Sequence, residues 1–458
     1  MTGPERRYAL DPATVLVDDL LIGGTPLTLM RLTEAGRSTV ERIRSGETVG
    51  SGRLLERLLA VGIATPIPGS PSTTSWRTAV VTPSLGPPLH PPAPGTVLVD
   101  DGSQPPISGA SLRSERNLGP AAARNLGWRS VLAERPDTDL IVFVDADVDT
   151  GAEDWWVPLL EHFDDPNVGL VAPRVRAPSR GSRLTDRAER AAPALDLGPT
   201  TGRVAPGTRI AYVPSAAVIA RASALLDVDG YDESLRTGED VDLVWRLHQQ
   251  GWVTIYDATV TVEHSARAAI GRWLAQRFGY GRSAASLAER HGTALAPWRT
   301  SPWGVTIVCA LGFSLGRARP RALLPALAIF ATTTTAAFGL TRRVPGLPSG
   351  IATRIIGRGL VRSTIAALAA IRRAWWPLLI PALPLSRVVR RMTVMSMLAA
   401  RHPARLAADL AYGAGTVRGA IDRRSTRALL PVVSAGRVMS RSADGGATKT
   451  AGDSTTVG

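Results

Sequence analysis

One segment limits what the first half of the chain can fold into. Five consecutive apolar residues, Leu140–Val144, are followed directly by Asp145 and Asp147 with one small residue between them. An apolar run of this length is typical of a strand buried on both faces of a parallel sheet. Ligands of such sheets bind beyond the carboxyl ends of the strands, where these carboxylates would project. The segment therefore predicts an α/β domain with an acidic site at a strand end.

The two carboxylates of this segment predict a metal site. Like charges so close together repel each other unless a cation or a proton lies between them. A divalent cation that also binds the phosphates of a substrate would satisfy both aspartates. The alternative is a solvated strand end without a function.

Two further acidic clusters favour the functional interpretation. Asp100 and Asp101 also follow an apolar strand, and the Gly-Ser pair after them predicts a sharp turn, so that a carboxylate there can accept hydrogen bonds from a nucleobase or ribose. Glu239 and Asp240 follow Gly238 at a loop-to-helix junction, where the helix N-terminus favours an ionised carboxylate. An ionised carboxylate within reach of a substrate hydroxyl can act as a general base.

Charge divides the chain into two different halves. Residues 1–264 contain 25 arginines and 34 acidic residues, whereas residues 265–458 contain 28 basic and five acidic residues. Cys309 is the only cysteine, which excludes a disulfide within the chain and is compatible with a reducing compartment. The first residues lack the apolar core of a signal peptide, so we expect the front half to be cytoplasmic.

Composition and spacing predict five regions. Residues 1–66 contain a hairpin pattern around Gly23-Gly24 and two helices, the first capped by Thr33; this order resembles winged-helix peptide-recognition modules, and a purely structural docking domain is the alternative. The remaining regions are a Pro/Ser/Thr-rich linker (67–77), an α/β domain (78–266), a basic and apolar helical region (267–440) and a disordered tail (441–458).

The helical region predicts a membrane surface as a partner rather than nucleic acid, because so many aliphatic residues lie among its arginines. Arg354, Arg358 and Arg362 recur every four residues and form one basic stripe on a helix. The apolar stretch Leu323–Leu340 is at the short limit for a membrane span. We therefore expect the protein at the cytoplasmic face of the cell membrane, peripheral or spanning.

The order of the three acidic clusters, DDGS, DAD and GYDESLRTGEDVDL, with an Arg-Asn-Leu-Gly stretch after the first, resembles the family 2 inverting glycosyltransferases. The resemblance covers about residues 78–265 and implies a GT-A nucleotide-sugar-binding fold, with a mostly parallel sheet, a UDP-sugar donor and Mg²⁺ or Mn²⁺. It implies donor contacts at Asp100, Asp101, Asn117, Arg124 and Asp145, and metal ligands at Asp145, Asp147 and His264. It implies catalytic carboxylates at Glu239 and Asp240, with Asp240 as the base. We also expect Arg277, Tyr280 and Arg282 to approach the diphosphate. For Asn117 and Arg124 the alternative is capping or packing, and for His264 a surface histidine.

The whole arrangement, including the segment Arg277–Ala285, is similar to the mycofactocin-system glycosyltransferases of actinobacteria. This resemblance implies transfer of glucose from UDP-glucose to a peptide-derived redox cofactor precursor. Two alternatives stay open: a transferase acting on a lipid or cell-wall acceptor, and a non-catalytic membrane protein that retains the sugar-nucleotide fold.

The sequence departs from the family in the first crossover. Only fourteen residues separate Val81 from Thr96, and six of them are prolines, which exclude the usual helix between parallel strands. The first strand and part of the nucleotide pocket are the regions that this departure puts in question. No Gln-x-x-Arg-Trp motif follows Asp240, which argues against a processive synthase.

Overall fold

The computed structural model describes residues 5–25, 27–67, 75–179, 181, 183–265, 269–316 and 323–434. The chain forms two compact units, one ending at Ile67 and the other running from Pro68 to Gly436. The α/β region and the C-terminal helices thus share one unit, and the predicted boundary between them near residue 266 stays a prediction. Most of the predicted linker, and all of the predicted disordered tail, lie outside the described residues.

The first unit combines two small sheets with two helices. Its elements are β1 (Arg6–Leu10), β2 (Val15–Val17), β3 (Leu20–Gly23), β4 (Thr28–Arg31), α1 (Glu34–Ser45), β5 (Thr48–Val49), α2 (Arg53–Ala60) and β6 (Ala64–Pro66). The sheet orders are β5-β1-β6 and β2-β3-β4. Thr33 caps α1 as predicted, because its hydroxyl accepts a hydrogen bond from the Gly36 amide at 3.2 Å.

One detail of the predicted hairpin is wrong. The run Thr14–Leu21 is interrupted by a turn, so that β2, β3 and β4 form a three-stranded meander instead of two strands. Asp18 lies in this turn with a left-handed φ of 52°, a conformation that aspartate tolerates better than most residues. The peptide-recognition role of this unit stays a prediction.

The second unit begins with an α/β region. Its elements are β7 (Thr78–Ser84), β8 (Val97–Asp101), β9 (Leu112–Ser114), α3 (Pro120–Glu134), β10 (Leu140–Val144), β11 (Val148–Asp149), a 3-10 helix (Val157–Asp164), β12 (Val168–Arg176), α4 (Leu184–Ala191), β13 (Gly202–Val204), β14 (Ala217–Arg221), α5 (Ala222–Asp227), α6 (Glu239–Gln249) and β15 (Val253–His264).

These strands form one nine-stranded sheet in the order β11-β15-β12-β14-β10-β7-β8-β9, with β13 beside β15. Among the described residues, six of the nine strands run in the same direction, and the antiparallel β14 lies between β10 and β12. The first four residues of the run Leu140–Val144 are fully buried; Ile141 and Phe143 face one core, and Leu140 and Val142 the other. The predicted α/β class and the doubly covered strand are confirmed.

The proline-rich crossover between β7 and β8 contains no helix, as predicted, and residues 85–96 are all described. The first strand forms nonetheless, because β7 pairs in parallel with both β10 and β8. The crossover is tied to the acidic loop after β10 by a 2.7 Å hydrogen bond from the Leu89 amide to the Ala146 carbonyl. The segment therefore becomes a wall of the site rather than a defect in it.

The C-terminal part of the second unit is almost entirely helical. Its elements are α7 (Ile270–His291), a 3-10 helix (Gly292–Leu295), β16 (Arg299–Thr300), α8 (Pro302–Gly316), α9 (Leu323–Arg343), α10 (Ser349–Ala370), a π-helical turn (Ile371–Trp375), α11 (Trp376–Leu379), a 3-10 turn (Ile380–Ala382), α12 (Arg387–Leu398), α13 (Pro403–Arg423), a 3-10 turn (Arg427–Leu429) and β17 (Val432–Val433).

One helical run in the described part of the chain, Ser349–Ala382, is long and apolar enough to cross a membrane by length and composition. It is not the stretch Leu323–Leu340 that the sequence singles out, although that stretch is helical as α9. Core helices of soluble proteins can meet the same two criteria, and 28% of the most apolar window of this run is buried within the protein.

Candidate active site

The carboxyl ends of the parallel strands open into one cavity of about 660 Å³. Because β14 runs in the opposite direction, its first residues reach the same edge of the sheet, and its Ala216 carbonyl accepts a 2.8 Å hydrogen bond from the Asp145 amide. We call this space the donor cavity. Nine of the predicted site residues line it, namely Asp101, Asn117, Arg124, Asp145, Asp147, Glu239, Asp240, His264 and Tyr280.

Asp100 is the predicted donor contact that the structure places elsewhere. Its carboxylate is fully buried, accepts hydrogen bonds from the Ser103 amide (2.8 Å) and the Ile107 amide (3.1 Å), and pairs with Arg113. Burial by itself would raise the pKa of Asp100, but the hydrogen bonds from Ser103 and Ile107 and the Arg113 charge lower it to about 2. Asp100 thus holds the turn after β8, and its predicted donor contact has no support in this geometry.

Asp101 lies at the floor of the donor cavity. Its two carboxylate oxygens accept hydrogen bonds from the amides of Leu118 and Gly119, each at 2.8 Å. These bonds fix the loop that leads into α3, whose N-terminal end also faces the cavity. Gly119 has a φ of 104°, a backbone conformation that residues with a side chain rarely adopt, so the loop depends on a glycine at this position.

Arg124 joins the middle and last acidic clusters. Its guanidinium, 3% exposed, donates to Asp145 at 2.6 Å and to Glu239 at 3.1 Å and lies over the Tyr231 ring at 5.3 Å. Burial raises the pKa of Asp145, and the neighbouring Asp147 charge acts in the same direction, while Arg124 opposes both. One buried cation therefore balances two carboxylates that come from distant parts of the sequence.

Asp147 and His264 form the part of the donor cavity that fits a metal. The His264 Nε2 lies 3.3 Å from an Asp147 oxygen, and the Asp147 side chain is 44% exposed. Among the described residues no group of three His, Cys, Asp or Glu side chains could hold a metal by itself. Mg²⁺ beside a nucleotide commonly takes one or two carboxylates from the protein and further oxygens from the phosphates. Asp147 supplies one such carboxylate and His264 adds a neighbouring ring nitrogen, whereas the predicted third ligand, Asp145, is engaged by Arg124.

Asp240 lies in the first turn of α6 and faces the cavity. Gly238 before it has a φ of 84°, and a Cβ there would lie 2.9 Å from Leu287, so glycine sets where the helix begins. Burial raises the pKa of Asp240 to about 7, and the adjacent Glu239 charge adds to this effect. Glu239 has Arg124 as a counter-ion, and Asp240 accepts a hydrogen bond from the Val241 amide at 2.8 Å.

Two contacts that the sequence did not indicate involve Asn117, which lines the donor cavity, and Asn125. Arg236 donates to the Asn117 side chain at 2.7 Å and to its carbonyl at 3.1 Å, and Arg236 itself lines the cavity. Its position three residues before Glu239 in the quoted motif was the available signal. Asn125 hydrogen-bonds the backbone of Tyr231 at 2.7 and 2.9 Å, which ties α3 to the loop before α6.

The third acid of the GEDVD motif and two of the predicted diphosphate contacts lie elsewhere. Asp242 is buried and paired with Arg246 (2.7 Å) and His291 (2.9 Å), so it joins α6 to α7. Arg277 pairs with Glu189, and Arg282 pairs with Asp422 at 2.7 Å; neither lines the donor cavity. Of the three residues predicted on α7, only Tyr280 lies on the face of the helix that lines the donor cavity.

A second cavity of about 530 Å³ lies on the other side of Asp240. Asp240, Gly238, Leu195 and Tyr280 line both cavities, so the candidate base lies at their common wall. Further residues of the second cavity come from α6, α7, α10, α13, the π-helical turn and the loops on either side of β13.

The family of the chain follows from its similarity to known sequences. The model of glycosyl transferase family 2 matches residues 97–225. Two curated pre-mycofactocin glycosyltransferases, from two strains of Mycobacterium tuberculosis, are each 33% identical over 462 residues, covering 90% of this chain and 94% of the relative. Solved structures with a similar chain course include the mannosyltransferase PcManGT from Pyrobaculum calidifontis with GDP-Man and Mn²⁺ (16% identity, TM-score 0.35, 76% of this chain and 89% of that one) and residues 1–349 of TarS from S. aureus (14% identity, TM-score 0.32, 76% and 92%).

The match over nearly the whole length of the curated relatives carries the assignment. The chain belongs to glycosyltransferase family 2, in the group formed with these pre-mycofactocin glycosyltransferases.

Proposed function

We propose that this glycosyltransferase moves glucose from UDP-glucose to a hydroxyl of a premycofactocin-like acceptor with inversion at the anomeric carbon, and that Asp240 is the general base. The observation that carries the proposal is the position of Asp240, which lines the donor cavity together with Asp101, Asp145 and Asp147 and also borders the second cavity. The acceptor is suggested by the two curated relatives, which are named pre-mycofactocin glycosyltransferases.

The donor cavity offers complementary groups for a nucleotide sugar. Asp101 and the N-terminal end of α3 lie at one end, where a base and ribose can hydrogen-bond. Arg236 and Arg124 supply positive charge beside the carboxylates, which suits a diphosphate. Asp147 and His264 would hold Mg²⁺ or Mn²⁺ there, and a bound metal supplies charge neutralisation for the leaving diphosphate.

The chemical step follows from the place of Asp240 between the cavities. The acceptor oxygen attacks the anomeric carbon from the face opposite to the diphosphate, and its proton passes to the Asp240 carboxylate. The bond between the anomeric carbon and the acceptor oxygen forms as the bond to the diphosphate oxygen breaks, and UDP leaves. One displacement inverts the configuration and needs no covalent sugar–enzyme intermediate.

Transfer of glucose from UDP-glucose to premycofactocin, followed by mass spectrometry, tests the proposal. We expect Asp240→Asn to lower kcat by about 10²–10⁴-fold, the range of a lost general base, with little change in UDP affinity. Asp149→Asn is the matched control, because this exposed aspartate follows Asp147 by two residues and does not line the donor cavity. Wild-type rates in Asp240→Asn would rule out the assigned base.

A second acceptor class is favoured by one observation. The C-terminal helices expose large apolar side chains, among them Phe313, Phe330 and Phe338, beside arginines such as Arg342. We propose that this surface binds an anionic membrane at its cytoplasmic face. Transfer of glucose to a lipid extract, with none to premycofactocin, would favour a lipid or cell-wall acceptor instead.

A further inference from the structure

The second cavity is bounded by the C-terminal helices as much as by the α/β region. Arg405, Asp409 and Tyr412 reach it from α13, and Arg373 reaches it from the π-helical turn. Its volume of about 530 Å³ falls within the range of small-molecule sites. Asp240, the residue assigned above as the base, lines the same cavity.

The walls of this cavity are mainly apolar and aromatic. Tyr212, Trp245, Tyr280 and Tyr412 contribute rings, and alanines, leucines and prolines fill the space between them. The Trp245 indole nitrogen is already hydrogen-bonded to the Ala211 carbonyl at 2.6 Å. Surfaces of this kind bind compact ring compounds through edge or offset contacts.

Most charged groups in the cavity are already paired. Asp196 accepts from Arg174 at 2.8 Å, and Asp409 accepts from Arg372 at 2.6 Å and lies 3.4 Å from Arg373. Arg277 pairs with Glu189, although its buried Nε has no hydrogen-bond partner.

Arg405 differs from these groups. Within the described part of the chain, its half-buried guanidinium makes no hydrogen bond or ion pair. Asp409, one turn further along α13, is held by Arg372 and Arg373 instead. An arginine left in this state at a mainly apolar cavity is suited to bind an oxygen group of a ligand, either a carbonyl or a carboxylate.

We infer that the C-terminal helices complete the active site, with the second cavity holding a compact ring-bearing acceptor whose carbonyl or carboxylate oxygen binds Arg405 while its hydroxyl faces Asp240. The inference rests on the proposed function, since it takes Asp240 as the base. It gives α13 a role in substrate specificity, distinct from membrane binding.

Isothermal titration calorimetry of the full chain with UDP and Mn²⁺ tests this inference through binding alone. The probes are 4-hydroxyphenylacetamide, which offers a carbonyl, 4-hydroxyphenylacetate, which offers a carboxylate, and 1-octanol, which offers a chain without a ring. We expect at least one aryl probe to bind and octanol not to bind. The tighter of the two aryl probes identifies the oxygen group that Arg405 prefers.

Arg405→Gln should weaken the preferred aryl probe by about 10-fold or more, as expected for loss of a charge-assisted hydrogen bond. Ala369→Phe, which places a ring in the cavity, should weaken both aryl probes. Arg358→Gln is the matched control, because Arg358 is exposed on α10 and lies outside the cavity. The Arg358→Gln variant should therefore bind the probes with the same affinity as the wild type.

Unchanged probe affinity in both Arg405→Gln and Ala369→Phe would overturn the inference. So would a wild-type protein that binds UDP but neither aryl probe, and that outcome leaves the proposed transferase function intact. A wild-type protein that binds no UDP contradicts the proposed function itself, so the two failures are distinguishable.

Discussion

Two adjacent carboxylates at the start of α6 have different surroundings. Glu239 is paired with Arg124, whereas Asp240 borders both cavities and its pKa is raised to about 7 by burial and by the Glu239 charge. A base must be ionised to accept a proton. We therefore expect kcat/KM of the wild type to fall as the pH is lowered through about 7 and to be level above it, measured as a pH–rate profile.

Changing the neighbour tests the cause of that raised pKa. Glu239→Gln removes one negative charge beside Asp240 and leaves the Arg124 cation in place, so the pKa of Asp240 should fall. The acidic limb of the pH–rate profile should move to lower pH by roughly one pH unit. An acidic limb that stays where it is in the wild type would show that another group titrates there. Asp149→Asn again serves as the control with an unchanged profile.

Asp147 and His264 are expected to act on metal affinity rather than on proton transfer. Asp147→Ala removes the more exposed of the two candidate ligands. We expect the Mn²⁺ concentration for half-maximal activity to rise at least 10-fold, in line with losses of metal ligands and their supports, with an unchanged pH profile at saturating metal. Equal metal dependence in Asp147→Ala and wild type would place the metal elsewhere.

At the scale of elements, α7 and α13 pack backbone against backbone. A Cβ on Gly281 would lie 1.9 Å from the Tyr412 carbonyl oxygen, and one on Gly415 would lie 2.0 Å from the Phe278 carbonyl oxygen. Small residues at these contacts let the helices approach closely enough to form one wall of the second cavity.

Gly281→Ala should therefore lower the free energy of unfolding by about 1–3 kcal/mol, the usual cost of overpacking, even though alanine favours a helix. Gly359→Ala is the matched control, because nothing lies within 4 Å of that position in α10. The control should be neutral or stabilised by up to about 1 kcal/mol in urea unfolding. Equal stability of the two variants would contradict the close packing of α7 and α13.

At the scale of the whole molecule, the charge asymmetry coincides with a surface of exposed apolar residues. Leu385, in the turn before α12, and Leu398, the last residue of α12, are 86% and 75% exposed. Arg354, Arg358 and Arg362 of α10 are all exposed as well. These features support membrane binding through both apolar contact and attraction to anionic lipids.

Vesicle sedimentation measures this expectation. The protein should bind vesicles containing phosphatidylserine and bind less as salt is raised, because counter-ions screen the arginines. Replacing Arg354, Arg358 and Arg362 together with Gln should lower vesicle binding several-fold and leave UDP affinity unchanged. The matched control replaces three arginines of the first unit, Arg31, Arg37 and Arg53. Equal binding to neutral and anionic vesicles would exclude the electrostatic part of the interaction.

The acidic clusters contain both positions that local sequence decides and positions that it does not decide. Five apolar residues in a row predict that Leu140–Val144 is buried on both faces of the sheet. Because parallel strands end at the same edge of a sheet, Asp101 and Asp145 lie at one edge. The same pattern does not tell which of the neighbours Asp100 and Asp101 faces the cavity. Which of two neighbouring carboxylates faces a cavity depends on the turn that Ser103 and Ile107 close around it.

The sequence by itself determined the α/β class, the order of the acidic clusters, the helix-free crossover and the separation of acidic and basic halves, because each depends on residues near one another in the chain. Only the tertiary structure decided that Arg124 bridges Asp145 and Glu239, since Arg124 and Glu239 are 115 residues apart in the chain. The same holds for Arg277, which faces away from the donor cavity. The tertiary structure also decided that α13 lies beside Asp240. These relations depend on packing between distant segments, and no local pattern specifies which buried cation meets which carboxylate.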